Sequence, residues 1–270
     1  MTTKLVFLGG GNMAEAIFAG LVTNPQFTIE VIQRNPEKAE RLQSSYPSIK
    51  VSPTLDYKLN QKDILLLAIK PQQAKEACLT IKDKIGDCLI VSVMAGLSIS
   101  SINTWLNNPR IIRTMPNTPS SVAQGITAIF TADAVSNEEQ ELVHQVFNTI
   151  GIVYTAQTED EIDKIVPLSS SAIAFVYYFM EGFINAAVNE FGFSQQQADT
   201  LIRQVVSGSS ALLSANPDIS ISEQRARVTS KKGATEQGVL TFEREKLHDI
   251  TKQAMQNCYL RTLEMAKEFN

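Results

Sequence analysis

The chain has 270 residues, of which 44% are hydrophobic and 19% charged, and its formal net charge is −4. That length holds one large domain or two ordinary ones, and the composition is that of a globular protein and not a disordered one. The acidic balance argues against nucleic acid or an anionic membrane as partner, since either would call for a basic stripe.

Cys78, Cys88 and Cys258 are odd in number and form no CxxC pair; His144 and His248 lie far apart and read as surface residues. Neither a disulfide framework nor a metal site is expected, and the thiols point to a reducing, cytoplasmic compartment. The apolar segment that follows Met1-Thr2-Thr3-Lys4 is too short for a signal peptide.

The first predicted strand, Leu5–Leu8, runs into Gly9-Gly10-Gly11-Asn12-Met13-Ala14. This is GxGxxA, with Gly9, Gly11 and Ala14 in the three slots. The first glycine permits a tight turn, the second lets backbone approach a pyrophosphate, and the third small residue packs helix on strand. An amphipathic helix over 14–22 would offer its free N–H groups to the phosphates. The motif alone also fits an ordinary glycine-rich turn; its place after a first strand favours a dinucleotide.

The second predicted strand, Ile29–Ile32, ends in Gln33-Arg34-Asn35-Pro36. Glu30 comes too early to hold a ribose 2′-OH as an NAD site requires. Arg34 and Asn35, with Lys38 one turn on, suit a 2′-phosphate. NADPH is the expected cofactor, with NADH a weaker alternative; a solvated basic turn is the plainer reading of the same residues.

Further apolar runs at Asp63–Ile69, Leu89–Val93, Ile111–Arg113 and Thr127–Phe130 alternate with helical spacing at Pro36–Leu42 and Gln73–Ile81. Such alternation predicts a parallel sheet covered by helices on both faces. After Thr158 the pattern changes. Thr158 and Glu161 read as a capping box, and helices are expected over 169–190, 194–214, 236–245 and 248–268. The stretch 168–188 is apolar but carries serines, Glu181 and Asn185, so a buried or interface helix is expected and not a membrane span. The predicted class is α/β: a Rossmann-type doubly wound sheet over 1–160, then an all-α domain over 161–270.

Several segments resemble the pyrroline-5-carboxylate reductase family. Leu8–Ala14 is similar to its GAGNMA opening, Ala68-Ile69-Lys70-Pro71-Gln72 to its AVKPQ, and Ser92–Gly96 to its S-x-x-AG. Arg113–Pro119 matches its R-x-MPNTP, and Val228–Thr235 resembles its VTSPGGTT. The resemblance implies that the second domain is a dimerisation domain, that the assembly is a homodimer or a decamer of five dimers, and that the substrate is 1-pyrroline-5-carboxylate, reduced to L-proline as the last step of proline biosynthesis.

Carried onto this chain, the resemblance implies that Leu8, Gly9, Gly10, Gly11, Asn12, Met13, Arg34 and Asn35 hold the adenosine phosphates. Ala68, Ile69, Lys70 and Pro71, with Val93, Met94 and Ala95, would line the dinucleotide and nicotinamide. Ser230, Gly233, Ala234 and Thr235 would hold the substrate, with Met115 and Asn117 near the cleft between the domains and Thr235 as the candidate proton donor.

The residues themselves agree in part. Gly233–Thr235 opens a helix, whose N-terminus suits one carboxylate; Thr235 also reads as a plain N-cap. The chain departs from the family at Ser170–Phe175, where GSGPAY is usual, and at Lys231 and Lys232, where proline and glycine are usual. Two alternatives stay open: a β-hydroxyacid-type dehydrogenase with Lys164 as proton donor, and a non-catalytic NADPH-binding relative.

Overall fold

The computed structural model describes residues 2–269, which divide into two compact units: 2–170 with 258–269, and 171–257. The first unit is built on one eight-stranded sheet of order β3-β2-β1-β4-β5-β6-β7-β8. Its strands are β1 (Thr3–Leu8), β2 (Phe27–Ile32), β3 (Lys50–Ser52), β4 (Ile64–Leu67), β5 (Leu89–Ser92), β6 (Ile111–Pro116), β7 (Gly125–Thr131) and β8 (Gly151–Thr155). All neighbours pair in parallel except β6 and β7. The expected doubly wound α/β class is what the chain forms, and β3 and β8 are additions to the predicted strands.

The apolar runs work as strands because successive side chains point to opposite faces. In β1, Leu5 and Phe7 enter one core, with Phe18, Val31 and Phe147. Val6 and Leu8 enter the other, with Leu65, Ile90 and Trp105. All four residues of β4 are buried, which explains a run with no polar position. Truncating a fully buried ring such as Phe7 to alanine would cost about 3–5 kcal/mol.

The covering helices are α1 (Asn12–Ala19), α2 (Pro36–Ser45), α3 (Ala74–Ile81), α4 (Ile99–Leu106), α5 (Asn137–Asn148) and α6 (Glu159–Lys164). Asn35 caps α2 by accepting from the Lys38 N–H at 2.9 Å, with Pro36 as its first residue. Ser136 and Glu139 form a reciprocal capping box on α5. The box expected at Thr158 does not form; Thr158 is the N-cap without a side-chain bond. The Glu161 carboxylate instead accepts from the Gln157 N–H and the Tyr154 hydroxyl.

The second unit holds α7 (Ala172–Phe191), α8 (Gln195–Ala215), α9 (Ile221–Arg227), α10 (Ala234–Arg244) and the start of α11 (Leu247–Phe269). Helices were expected in these places, apart from α9. Gly192, at φ +73°, ends α7 in the left-handed conformation.

Of the two expectations for α7, a buried or an interface helix, burial within one chain is not met: Ile184 is its only buried residue, while Phe175, Phe179 and Phe183 are exposed. The stretch Glu159–Phe191 contains an 18-residue window with a mean hydropathy of 1.3, long and apolar enough to cross a membrane by length and composition. His144 is half-buried with its Nε2 enclosed and without a partner, so it is no simple surface histidine; His248 is exposed. The Cys78 and Cys88 thiols are free and buried, and burial pushes each up to about 12.

Candidate active site

In an open α/β sheet, ligands bind beyond the carboxyl ends of the strands, where the strand order reverses. Here that point lies between β1 and β4. Gly9 follows β1 at φ +104°, and a Cβ on it would stand 2.5 Å from the Ala68 carbonyl oxygen beyond β4. No other residue type fits there, so the two strand ends close on each other. Gly11 is the reverse: a Cβ on it would meet nothing within 4 Å. The space above it is the room that a pyrophosphate needs at the start of α1, which Gly11 precedes as N-cap.

A cavity of about 340 Å³ occupies this place. Leu8, Gly9, Gly10 and Gly11 form its floor, Ala68, Ile69 and Lys70 one wall, and Arg34 and Lys38 its cationic side. The structure thereby brings together eight of the predicted cofactor residues. Asn12, Met13, Asn35, Pro71, Val93, Met94 and Ala95 lie outside the lining. The Asn35 side-chain oxygen is occupied by capping α2, and the Met94 side chain is in the core.

Thr54, Gln73, Ala77, Thr80 and Lys84 also line the cavity and were not foreseen. Thr54 follows a strand of three residues, too short to leave a periodic signal. The helical spacing of Gln73–Ile81 is legible, but nothing in it says which face meets the cavity. Another cleft, of about 610 Å³, is lined by Thr3, Asp63, Leu89 and Arg110 at the amino ends of the strands, the wrong end for such a ligand.

Glu30 is excluded from a cofactor role by more than its early position. It is buried and accepts from Ser52 Oγ at 3.1 Å and Tyr57 Oη at 2.6 Å, with Lys50 Nζ at 2.9 Å. Burial alone would raise its pKa; the bonds from Lys50, Tyr57 and Ser52 outweigh this and hold it below the usual carboxylate value.

The expected substrate residues of the first unit have structural duties. The Asn117 amide donates to the Ser169 carbonyl at 3.1 Å and accepts the Ile126 N–H at 2.8 Å, and the residue is buried. Both ends of its side chain bind backbone, so Asn117 clamps the chain after β6. Met115 packs with Ala128, Ile162 and Ile165 in a third apolar cluster. Arg113 is buried between Asp163, at 2.6 Å, and Glu159, at 3.2 Å.

In the second unit, Ser230–Thr235 forms the turn that opens α10. Its N-cap is Gly233, so Thr235 is already inside the helix and the plain N-cap reading of it fails. The Gly233 N–H donates to the Ser230 carbonyl at 3.0 Å and is not available as part of an anion cradle. Ala234 and Thr235 are exposed, and as the first residues of a helix their N–H groups have no acceptor within it. Lys232 stands at φ +60°, where the family's glycine would sit without strain; a non-glycine residue there costs about 1–2 kcal/mol. Lys164, the proton donor of the dehydrogenase alternative, is exposed and ion-paired with Asp160.

Comparison with known proteins bears on both units. Residues 159–265 match the family model described as pyrroline-5-carboxylate reductase dimerisation, and residues 4–96 match NADP oxidoreductase, coenzyme F420-dependent. The pyrroline-5-carboxylate reductase of Pasteurella multocida is 30% identical, over 98% of each chain; that of Vibrio alginolyticus is 29% identical, over 98% of each. The solved structure of such a reductase from Coxiella burnetii superposes with a TM-score of 0.86 at 30% identity, covering 100% of this chain and 99% of the other. A Plasmodium falciparum pyrroline carboxylate reductase with NADP bound, at 23% identity and a TM-score of 0.78, shares the fold.

Proposed function

The chain belongs to the pyrroline-5-carboxylate reductase family, and from that premise we propose that it reduces 1-pyrroline-5-carboxylate to L-proline with NADPH, the last step of proline biosynthesis. The cofactor supplies the hydride, which goes to the imine carbon. The observation that carries the cofactor half is the switch-point cavity, with a glycine floor that no Cβ blocks at Gly11 and with Arg34 and Lys38 at its side. Four cations, Arg34, Lys38, Lys70 and Lys84, and no carboxylate among its lining residues favour NADPH over NADH.

The chain's own residues bind and orient. Gly9–Gly11 and the start of α1 receive the pyrophosphate. Ala68–Lys70 and the segment 93–95 line the dinucleotide, the latter through backbone, since Met94 points into the core. In the second unit, the N–H groups of Ala234 and Thr235 receive the substrate carboxylate, and the Thr235 hydroxyl lies in reach of the ring nitrogen as its proton donor. No acid–base constellation is needed beyond this, because a protonated imine requires little more than alignment with the hydride donor. The functional division lies near residue 160, with the cofactor before it and the substrate after.

The second unit pairs two copies through the exposed apolar face of α7, which supports a homodimer; five dimers form the decamer that the family resemblance implies. The free thiols support a cytoplasmic location. Following NADPH oxidation with 1-pyrroline-5-carboxylate tests the whole reading, and absence of turnover rejects it. If Thr235 acts in the transition state, Thr235→Ala loses mainly kcat; a ground-state contact raises KM instead.

A further inference from the structure

The turn before α10 carries a residue that its backbone does not favour. Lys232, at φ +60°, lies in the left-handed region that suits glycine. Left alone, such a residue drifts to negative φ, and the N–H groups that follow it change direction. Here its N–H is held: it donates to the Glu236 carboxylate at 2.7 Å, four residues on. The Gly233 N–H donates to the Ser230 carbonyl at 3.0 Å. These two bonds fix the turn from both ends. Gly233 leaves no slack between them, since a Cβ there would stand 2.3 Å from Ser230 Oγ.

We propose that Glu236 is a positioning residue for the substrate, acting through the Lys232 N–H. The inference rests on the reading of Ser230–Thr235 as the substrate turn. Glu236 holds the turn in the one conformation that aims the Ala234 and Thr235 N–H groups together, so the ordering cost is met before the substrate arrives. A cradle that had to order itself on binding would show weaker affinity for the carboxylate and no change toward NADPH. Lys232 thus needs no contact with the substrate: its backbone, secured by Glu236, does what glycine does in the family.

The test is steady-state kinetics on the full chain with NADPH and 1-pyrroline-5-carboxylate, using Glu236→Ala, Glu236→Gln, Lys232→Gly and the Lys232→Gly/Glu236→Ala pair. Glu236→Ala is expected to raise KM for the imine roughly five- to tenfold, the worth of one hydrogen bond, and to leave KM for NADPH unchanged. Glu236→Gln keeps the acceptor and should behave as the wild type. In the Lys232→Gly background the alanine effect should shrink, because glycine holds the backbone angle unaided. An unchanged KM in Glu236→Ala, an equal loss in the glutamine variant, or the same alanine effect in both backgrounds would overturn the positioning role while wild-type turnover persists. A wild type that does not reduce the imine overturns the functional reading, and this inference with it.

Discussion

Arg113 on β6 meets Asp163 on α6 with 2.6 Å between Nη2 and Oδ1, both residues buried. The same guanidinium reaches Glu159, whose Oε1 also accepts the Ile99 N–H, at 2.8 Å, at the start of α4. One cation therefore joins a central strand to two helices. The Arg113 of the R-x-MPNTP block is part of the frame that carries the segment 93–99, not a group that meets the substrate.

Breaking a buried pair by removing one partner leaves a charge without compensation, at about 3–5 kcal/mol. Asp163→Ala leaves Arg113 with Glu159 alone and is expected to lower the unfolding free energy by up to that amount in urea titrations. Arg113→Met with Asp163→Leu and Glu159→Gln removes all three charges together, keeps an acceptor for the Ile99 N–H, and should lose less. An Asp163→Ala protein as stable as the wild type would show that the pair contributes nothing.

Arg34 flanks the cavity with Lys38. A charge-assisted bond to a 2′-phosphate is worth about 1.5–3 kcal/mol. Arg34→Ala should raise KM for NADPH about tenfold or more and leave KM for NADH nearly unchanged. Equal effects on the two cofactors would reject the assignment.

Glu30 makes part of the stability pH-dependent. Its burial is outweighed by Lys50, Tyr57 and Ser52, so its folded pKa lies below the ordinary 4.5. The unfolded chain then binds the proton more readily than the folded one. The stabilisation is fully present above pH 4.5 and is lost as pH falls through the folded value. Glu30→Gln should be less stable than the wild type at pH 7, with the difference narrowing in acid. Parallel stability curves for the two proteins between pH 7 and acid would contradict this.

Phe179 is exposed on α7 and stacks edge-on with Phe183, at 4.9 Å between ring centres. An exposed apolar face of this kind marks an interaction surface, and the dimerisation match over residues 159–265 makes a second copy its expected partner. Light scattering should find a dimer or larger assembly for the wild type, and smaller particles for Phe179→Glu. A wild-type monomer at micromolar concentration would refute the interface.

What the sequence determined by itself was whatever depends on near neighbours. Strand and helix periodicity and the glycine spacing of residues 9–14 are local patterns, and each folds by local rules. The strain at Lys232 was legible too, as a lysine in a glycine's place.

Tertiary structure decided the rest. The bonds of Asn117 and the apolar neighbours of Met115 come from Ser169, Ile126 and Ile162 on other elements, and no local pattern in the MPNTP block shows them. β3 and β8 are too short or too exposed to announce themselves, yet pairing in the sheet holds them. Arg113 is dozens of residues from Glu159 and Asp163, and a buried charge finds its counter-charges only when the chain has closed around it. Even the apolar α7 asks for more than its local pattern: the apolar spacing calls for burial, and within one chain only its Ile184 is buried.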